Sequence, residues 1–158
     1  MKAATVRELK KELSHRPAEE LLELCLRLSK FKKENKELLT YLLYEASNEE
    51  NYIASVKKEM DQQFEVINIS SYFYIKKSVR KILRNTKKYI RYSKKKETEV
   101  ELILYFCFRL KNMSPPIKLN TTLENILNRQ ILLIRKNVST LHEDLQYDYE
   151  IELNEIEK

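Results

Sequence analysis

Eight cations fall between residues 76 and 91 of a 158-residue chain, and no acid interrupts them. They are Lys76, Lys77, Arg80, Lys81, Arg84, Lys87, Lys88 and Arg91, within the stretch IKKSVRKILRNTKKYIRY. At ~100° per residue, Ile75, Val79, Ile82, Leu83, Thr86, Tyr89 and Ile90 share an arc of roughly 120°, and the cations take the complementary arc. Such a helix docks by one face and offers the other to negative charge. Like charges four residues apart, such as Arg80 and Arg84, together cost the helix about 1–2 kcal/mol at low salt, which a counter-charge would offset. Three candidates exist. One is the phosphate backbone of RNA or DNA, each neutralised phosphate releasing a counterion. Another is an acidic surface on a partner protein. The third is the chain's own C-terminal set, Glu143, Asp144, Asp148, Glu150, Glu152, Glu155 and Glu157. Tyr72, Phe73, Tyr74, Tyr89 and Tyr92 flank the cations and have faces on which bases stack, although Tyr89 lies on the apolar arc.

The positive charge belongs to this one element. Residues 71–111 carry 13 basic and 3 acidic side chains, a net of +10, whereas residues 1–70 stand at −1 and residues 112–158 at −3. Glycine is absent altogether. That excludes glycine-rich phosphate loops, dinucleotide fingerprints and the nucleophile elbow, all of which need a residue without Cβ. It also argues against tight hairpin turns, and so against β structure.

Other chemistry is sparse. His15 and His142 stand at opposite ends of the chain, and two cysteines provide no metal-ligand spacing. No metal and no cofactor are expected. Cys25 shares an apolar stripe with Leu21, Leu24, Leu28 and Phe31, and Cys107 sits in the most apolar segment, so both read as buried, inert thiols of a reducing compartment. Carboxylate pairs such as Glu19/Glu23 punctuate helix starts, and none has an apolar setting that would separate two pKa values.

The segment RKNVSTLH places Arg135 and His142 seven residues apart, on nearly the same face of one expected helix. This resembles the R-x(4–6)-H motif of HEPN-type ribonucleases, small all-helical proteins that cleave RNA across a dimer interface. The resemblance implies that Arg135 would hold a phosphate and His142 would serve the 2′-hydroxyl chemistry. The polar residue usual after the arginine is here Lys136, a departure from the pattern.

Helix signals set the frame. Thr5 with Glu8 forms a capping box for a helix to about Leu13. Pro17, Glu19 and Glu20 open a second, and Asn35 stands where a C-terminal glycine would. A third helix is predicted over 36–46. A fourth is capped by Asn48 and carries Tyr52, Ile53, Val56 and Met60. FEVINIS alternates like a strand but has none to pair with, so it reads as a helix end and connector. The basic helix follows over 71–92. TEVELILYFCFRL is apolar almost all round and is expected to be the central buried helix, with a buried strand as its alternative. A last helix, opened by Thr121 and Glu124, is expected to run to about Gln146, with Leu132 opposite its apolar stripe, where an outward leucine marks either a homodimer contact or nothing at all. A frayed acidic tail, 147–158, completes the chain.

The opening VRELKKELSHRPAEELLELCLRLSKFKKENKELLTYLL resembles the start of certain uncharacterised bacterial helical proteins. They share a short lysine-rich helix, a "PAEEL" or "SKEEL" turn and a leucine-rich helix closed by "NKE". The resemblance implies an all-α cytoplasmic protein and transfers no site residue. No membrane role is expected, because the longest apolar run, residues 102–108, is far short of the ~20 residues of a span, and the N-terminus lacks the apolar stretch of a secretion signal. The sequence thus predicts an all-α chain: a compact six- or seven-helix bundle, or a short stack of helical hairpins, forming one domain over 1–146. The expected function is a non-catalytic interaction protein using the cationic helix face towards an acidic protein surface or its own tail. Nucleic-acid backbone binding is the alternative, and a HEPN-like ribonuclease the remote one.

Overall fold

The computed structural model describes residues 1–158 and is all-helical, without a strand. Eight α-helices follow in order: α1 Val6–Leu13, α2 Ala18–Phe31, α3 Lys33–Thr40, α4 Glu49–Glu65, α5 Tyr72–Ser93, α6 Lys96–Lys111, α7 Thr121–Val138 and α8 Glu143–Glu157. A turn of π-helix, Tyr41–Glu45, extends α3, and a 3-10 turn, Ile117–Leu119, precedes α7. The chain divides into two compact units, Met1–Tyr44 and Glu45–Lys158.

The first unit is built on the α2–α3 hairpin, with α1 opened by the expected capping box of Thr5 and Glu8. The α2 stripe read as core-facing is not buried. Cys25, Leu24, Leu28 and Phe31 are exposed, and only Ser29 and Tyr41 are buried in this unit. Two helices in a hairpin cover only the strip between them, so the rest of an apolar arc stays open. Asn35 closes α2 by its side chain rather than by a left-handed backbone. Its Nδ2 donates to the Leu28 carbonyl at 2.8 Å, while Lys32 breaks the helix in an extended conformation.

The second unit has a continuous core around α6, which packs against α4, α5, α7 and α8. Val100, Leu102, Ile103, Phe106, Cys107 and Leu110 are all essentially inaccessible. With the buried Leu104 they cover an arc of about 200° of α6, the wide face of a central helix, while Phe108 on the remaining side is exposed; each buried aliphatic or aromatic side chain contributes about 1.5–3 kcal/mol. Asn48 caps α4 through its side chain as the sequence predicts, and FEVINIS is the end of α4 followed by a connector. Asn120, not Thr121, caps α7 by accepting from the Leu123 amide at 3.2 Å.

The C-terminal part differs from expectation. There is no single helix to Gln146, and the tail is not frayed. Past Val138 the backbone tightens to i to i−3 bonds, Thr140 to Asn137 and Leu141 to Val138, and the Ser139 and Thr140 hydroxyls donate to the carbonyls of Lys136 and Asn137 at 2.8 and 2.7 Å, where α7 ends. The chain then turns into α8, whose Tyr149, Leu153 and Ile156, at i, i+4 and i+7, are buried. No helix of the chain is long and apolar enough to cross a membrane.

Candidate functional site

The second unit places α5 with one face inward. Ile75, Val79, Ile82, Thr86 and Ile90 are buried, at helical spacing, as the pattern of the sequence predicts. Polar contacts fix the edge facing α4. The Tyr89 hydroxyl donates to Glu59 at 2.9 Å, Tyr52 donates to the Tyr89 carbonyl at 2.9 Å, and Asn85 donates to Gln63 at 3.1 Å. Tyr92 is buried and meets Tyr89 edge-on, with ring centroids 6.0 Å apart. These two tyrosines are therefore spent on packing.

The C-terminus of α5 shows what a chain without glycine must do. Lys94 takes the left-handed conformation, φ 59°, and its N–H closes the helix on the Ile90 carbonyl at 2.9 Å. Next to it, Glu49 gathers Lys95 at 3.1 Å, the buried Thr98 hydroxyl at 2.6 Å and the Ser93 hydroxyl, which ties the α5–α6 corner to the start of α4.

The outward face carries the cations. Lys77, Arg80, Lys81, Arg84 and Arg91 are exposed, and Lys76, Lys87 and Lys88 are half-buried. Lys88 lies 4.8 Å from the centre of the Tyr89 ring, so part of its charge is engaged. The other seven make no salt bridge. Phe73, 67 % exposed, belongs to the same face. Measured from Ile75 it sits at about 160°, between Arg80 at about 140° and Lys77 at about 200°. Tyr74 is half exposed beside it, with ring centroids 5.4 Å apart. An open aromatic thus interrupts the cationic comb, a feature that the same helical wheel contains and that counting flanking aromatics passes over.

The acids of α8 do not meet this face. Arg135 on α7 binds Glu150 at 3.0 Å and Glu157 at 2.6 Å, and the Glu157 hydrogen bond is the main cause of a raised Arg135 pKa. Because α7 ends at Val138, Arg135 and His142 do not share a helix face. His142 is instead the N-cap of α8, its Nδ1 accepting from the Asp144 amide at 3.4 Å. The premise of the ribonuclease pattern, one helix carrying both residues, is thereby removed.

Two further features bear on chemistry. Burial pushes the Cys107 thiol up to about 12, an inert group as expected, while Cys25 is exposed. A cleft of about 700 Å³ opens between α6 and α8, with Lys57, Glu101, Tyr105, Phe108, Asp148 and Glu152 among its lining residues. In its lining, Lys57 of α4 pairs with Glu101 of α6 at 3.1 Å. Burial, and then the neighbouring Glu101, Glu97, Glu152 and Asp148, push the Tyr149 hydroxyl up to about 12. This cleft had no signature in the sequence, since it exists only because α8 folds back.

No protein-family model, curated protein or solved structure matches this chain.

Proposed function

We propose that the protein is a non-catalytic interaction module whose α5 face binds the sugar–phosphate backbone of nucleic acid. The observation that carries this reading is the comb of cations on one face: five exposed and two half-buried, none with an acidic partner in the chain. Lys77, Arg80, Arg84, Lys87 and Arg91 recur every three or four residues, so that cationic rungs follow one another at about 5 Å along the helix. That run suits a polyanion with regularly spaced charge. Phe73 supports nucleic acid over an acidic protein surface, because an exposed ring within a cationic groove or stripe gives a base a stacking platform at no cost in sequence tolerance. An acidic protein partner would use the same cations but has no need of the ring.

The test is fluorescence anisotropy with labelled single-stranded RNA and duplex DNA, comparing the wild-type chain with Arg80→Glu/Arg84→Glu and with Phe73→Ala. Binding that persists near physiological salt and is lost in the charge-reversed variant supports the reading. Phe73→Ala is expected to weaken single-stranded RNA by about 1–3 kcal/mol, the worth of one stacked base, and duplex DNA much less. Absence of binding even at low salt overturns it and turns attention to an acidic protein surface.

A further inference from the structure

The Met1–Tyr44 unit carries a surface of a different kind. Its apolar side chains outnumber what the fold covers. On α2, Leu24 is 41 %, Leu28 61 % and Phe31 77 % exposed, at positions i, i+4 and i+7, hence within about 60° of one another. A shallow groove of about 270 Å³ runs beside them between α2 and α3, lined by Cys25, Leu28, Ser29, Leu38, Leu39 and Leu42. Apolar stripes of this kind are closed by another helix.

Charge identifies the helix that fits. The first half of α2 carries Glu19, Glu20 and Glu23, and its second half carries Arg27 and Lys30. Glu23, Arg27 and Lys30 make no salt bridge within the chain, and Glu20 makes only an exposed one with Arg16, at 3.1 Å. A helix acidic at one end and basic at the other is complementary to itself when turned end for end. Parallel alignment would set like against like. A two-fold axis needs one patch that complements itself, and α2 provides it. We propose that this unit docks on a second copy of the chain, with α2 against α2 in antiparallel, the leucine stripes and the α2–α3 grooves meeting across the two-fold axis. Cys25 lies at the middle of Ala18–Phe31, so this pairing brings the two Cys25 residues to the same level.

The full chain is tested by sedimentation equilibrium over a concentration series. The wild type is expected to dimerise, and Leu28→Glu, which alters an exposed side chain and leaves the helical circular dichroism unchanged, to weaken the dimer more than about tenfold. Two charge variants separate electrostatics from folding. Arg27→Glu/Lys30→Glu makes α2 wholly acidic, and Glu19→Lys/Glu20→Lys/Glu23→Lys makes it wholly basic. Each alone is expected to lose dimer, and an equimolar mixture to regain it as a heterodimer. A short bismaleimide is expected to link wild-type chains through Cys25, the exposed cysteine, and not through the buried Cys107. A chain that stays monomeric at every concentration overturns the proposal. So does a dimer indifferent to Leu28→Glu, a mixture that fails to reassociate, or a dimer that Cys25 does not cross-link.

Discussion

If α5 binds nucleic acid as proposed, the salt dependence of binding follows from which of its cations are open. Lys77, Arg80, Lys81, Arg84 and Arg91 are exposed and unpaired. If each neutralises one phosphate, the log–log slope of affinity against salt is about −4.5 on duplex DNA and about −3.5 on a single strand. Raising salt from 50 to 200 mM then costs the duplex complex about 500-fold in affinity, and the single-strand complex about 130-fold. Replacing Arg80 and Arg84 by Gln leaves three contacts, a duplex slope near −2.7 and a loss of about 40-fold over the same interval. The same variant removes like-charge repulsion between Lys76 and Arg80, Arg80 and Arg84, and Arg84 and Lys88, so its melting temperature is expected not to fall. Anisotropy titrations at four or five salt concentrations, with thermal melts of both proteins, measure all of this. A slope unchanged in the variant would place the contacts elsewhere and refute the assignment of α5. Weaker binding accompanied by a lower melting temperature would show that the arginines act through the fold.

Two further outcomes probe the frame itself. Lys94→Gly relieves a left-handed backbone that costs a side-chain-bearing residue about 1 kcal/mol, so the variant is expected to melt about 2–4 °C higher; no gain would mean that the α5 terminus carries no strain. The Glu152 carboxyl is held above its ordinary value by burial first, with Glu101, Glu155 and Asp148 adding and Lys57 opposing. The folded state therefore keeps this proton to higher pH than the unfolded one. Its stabilising contribution is complete below the unfolded pKa and lost as pH rises through the folded one. Glu152→Gln is accordingly expected to stabilise the chain at pH 7, by no more than about 0.5 kcal/mol given the exposure of this side chain, and to have no effect below pH 4. Chemical denaturation at the two pH values reads the difference, and an equal effect at both would point to packing.

Local rules made much of the fold legible. A chain without glycine, with capping residues at Thr5 and Asn48 and an apolar surface all round 100–110, announces helices and their centre. The stop at Val138 was hidden because Ser139 and Thr140, whose hydroxyls turn back there on the Lys136 and Asn137 carbonyls, look the same in a sequence that continues as helix. The α2 stripe misled for the opposite reason. Its spacing reports an apolar face correctly but says nothing of whether the chain has a second surface to cover it.

The cationic face shows why a partner is harder to read than a patch. Its cations and their common arc follow from spacing alone, but their freedom depends on where the acids of 143–157 come to rest. Opposite net charges suggest that this segment should seek α5. Burial decides otherwise. Tyr149, Leu153 and Ile156 form one stripe, and their burial is worth about 1.5–3 kcal/mol each, against about 0–1 kcal/mol for an exposed ion pair. The stripe therefore selects the apolar flank of α6 and α7, where Arg135 receives Glu150 and Glu157 as a consequence of the docking. Once α8 is committed there, its acids form no ion pair with α5, and the exposed cations Lys77, Arg80, Lys81, Arg84 and Arg91 are left facing outward. An amphipathic stripe of three residues thus keeps the basic helix available to a polyanion from outside the chain.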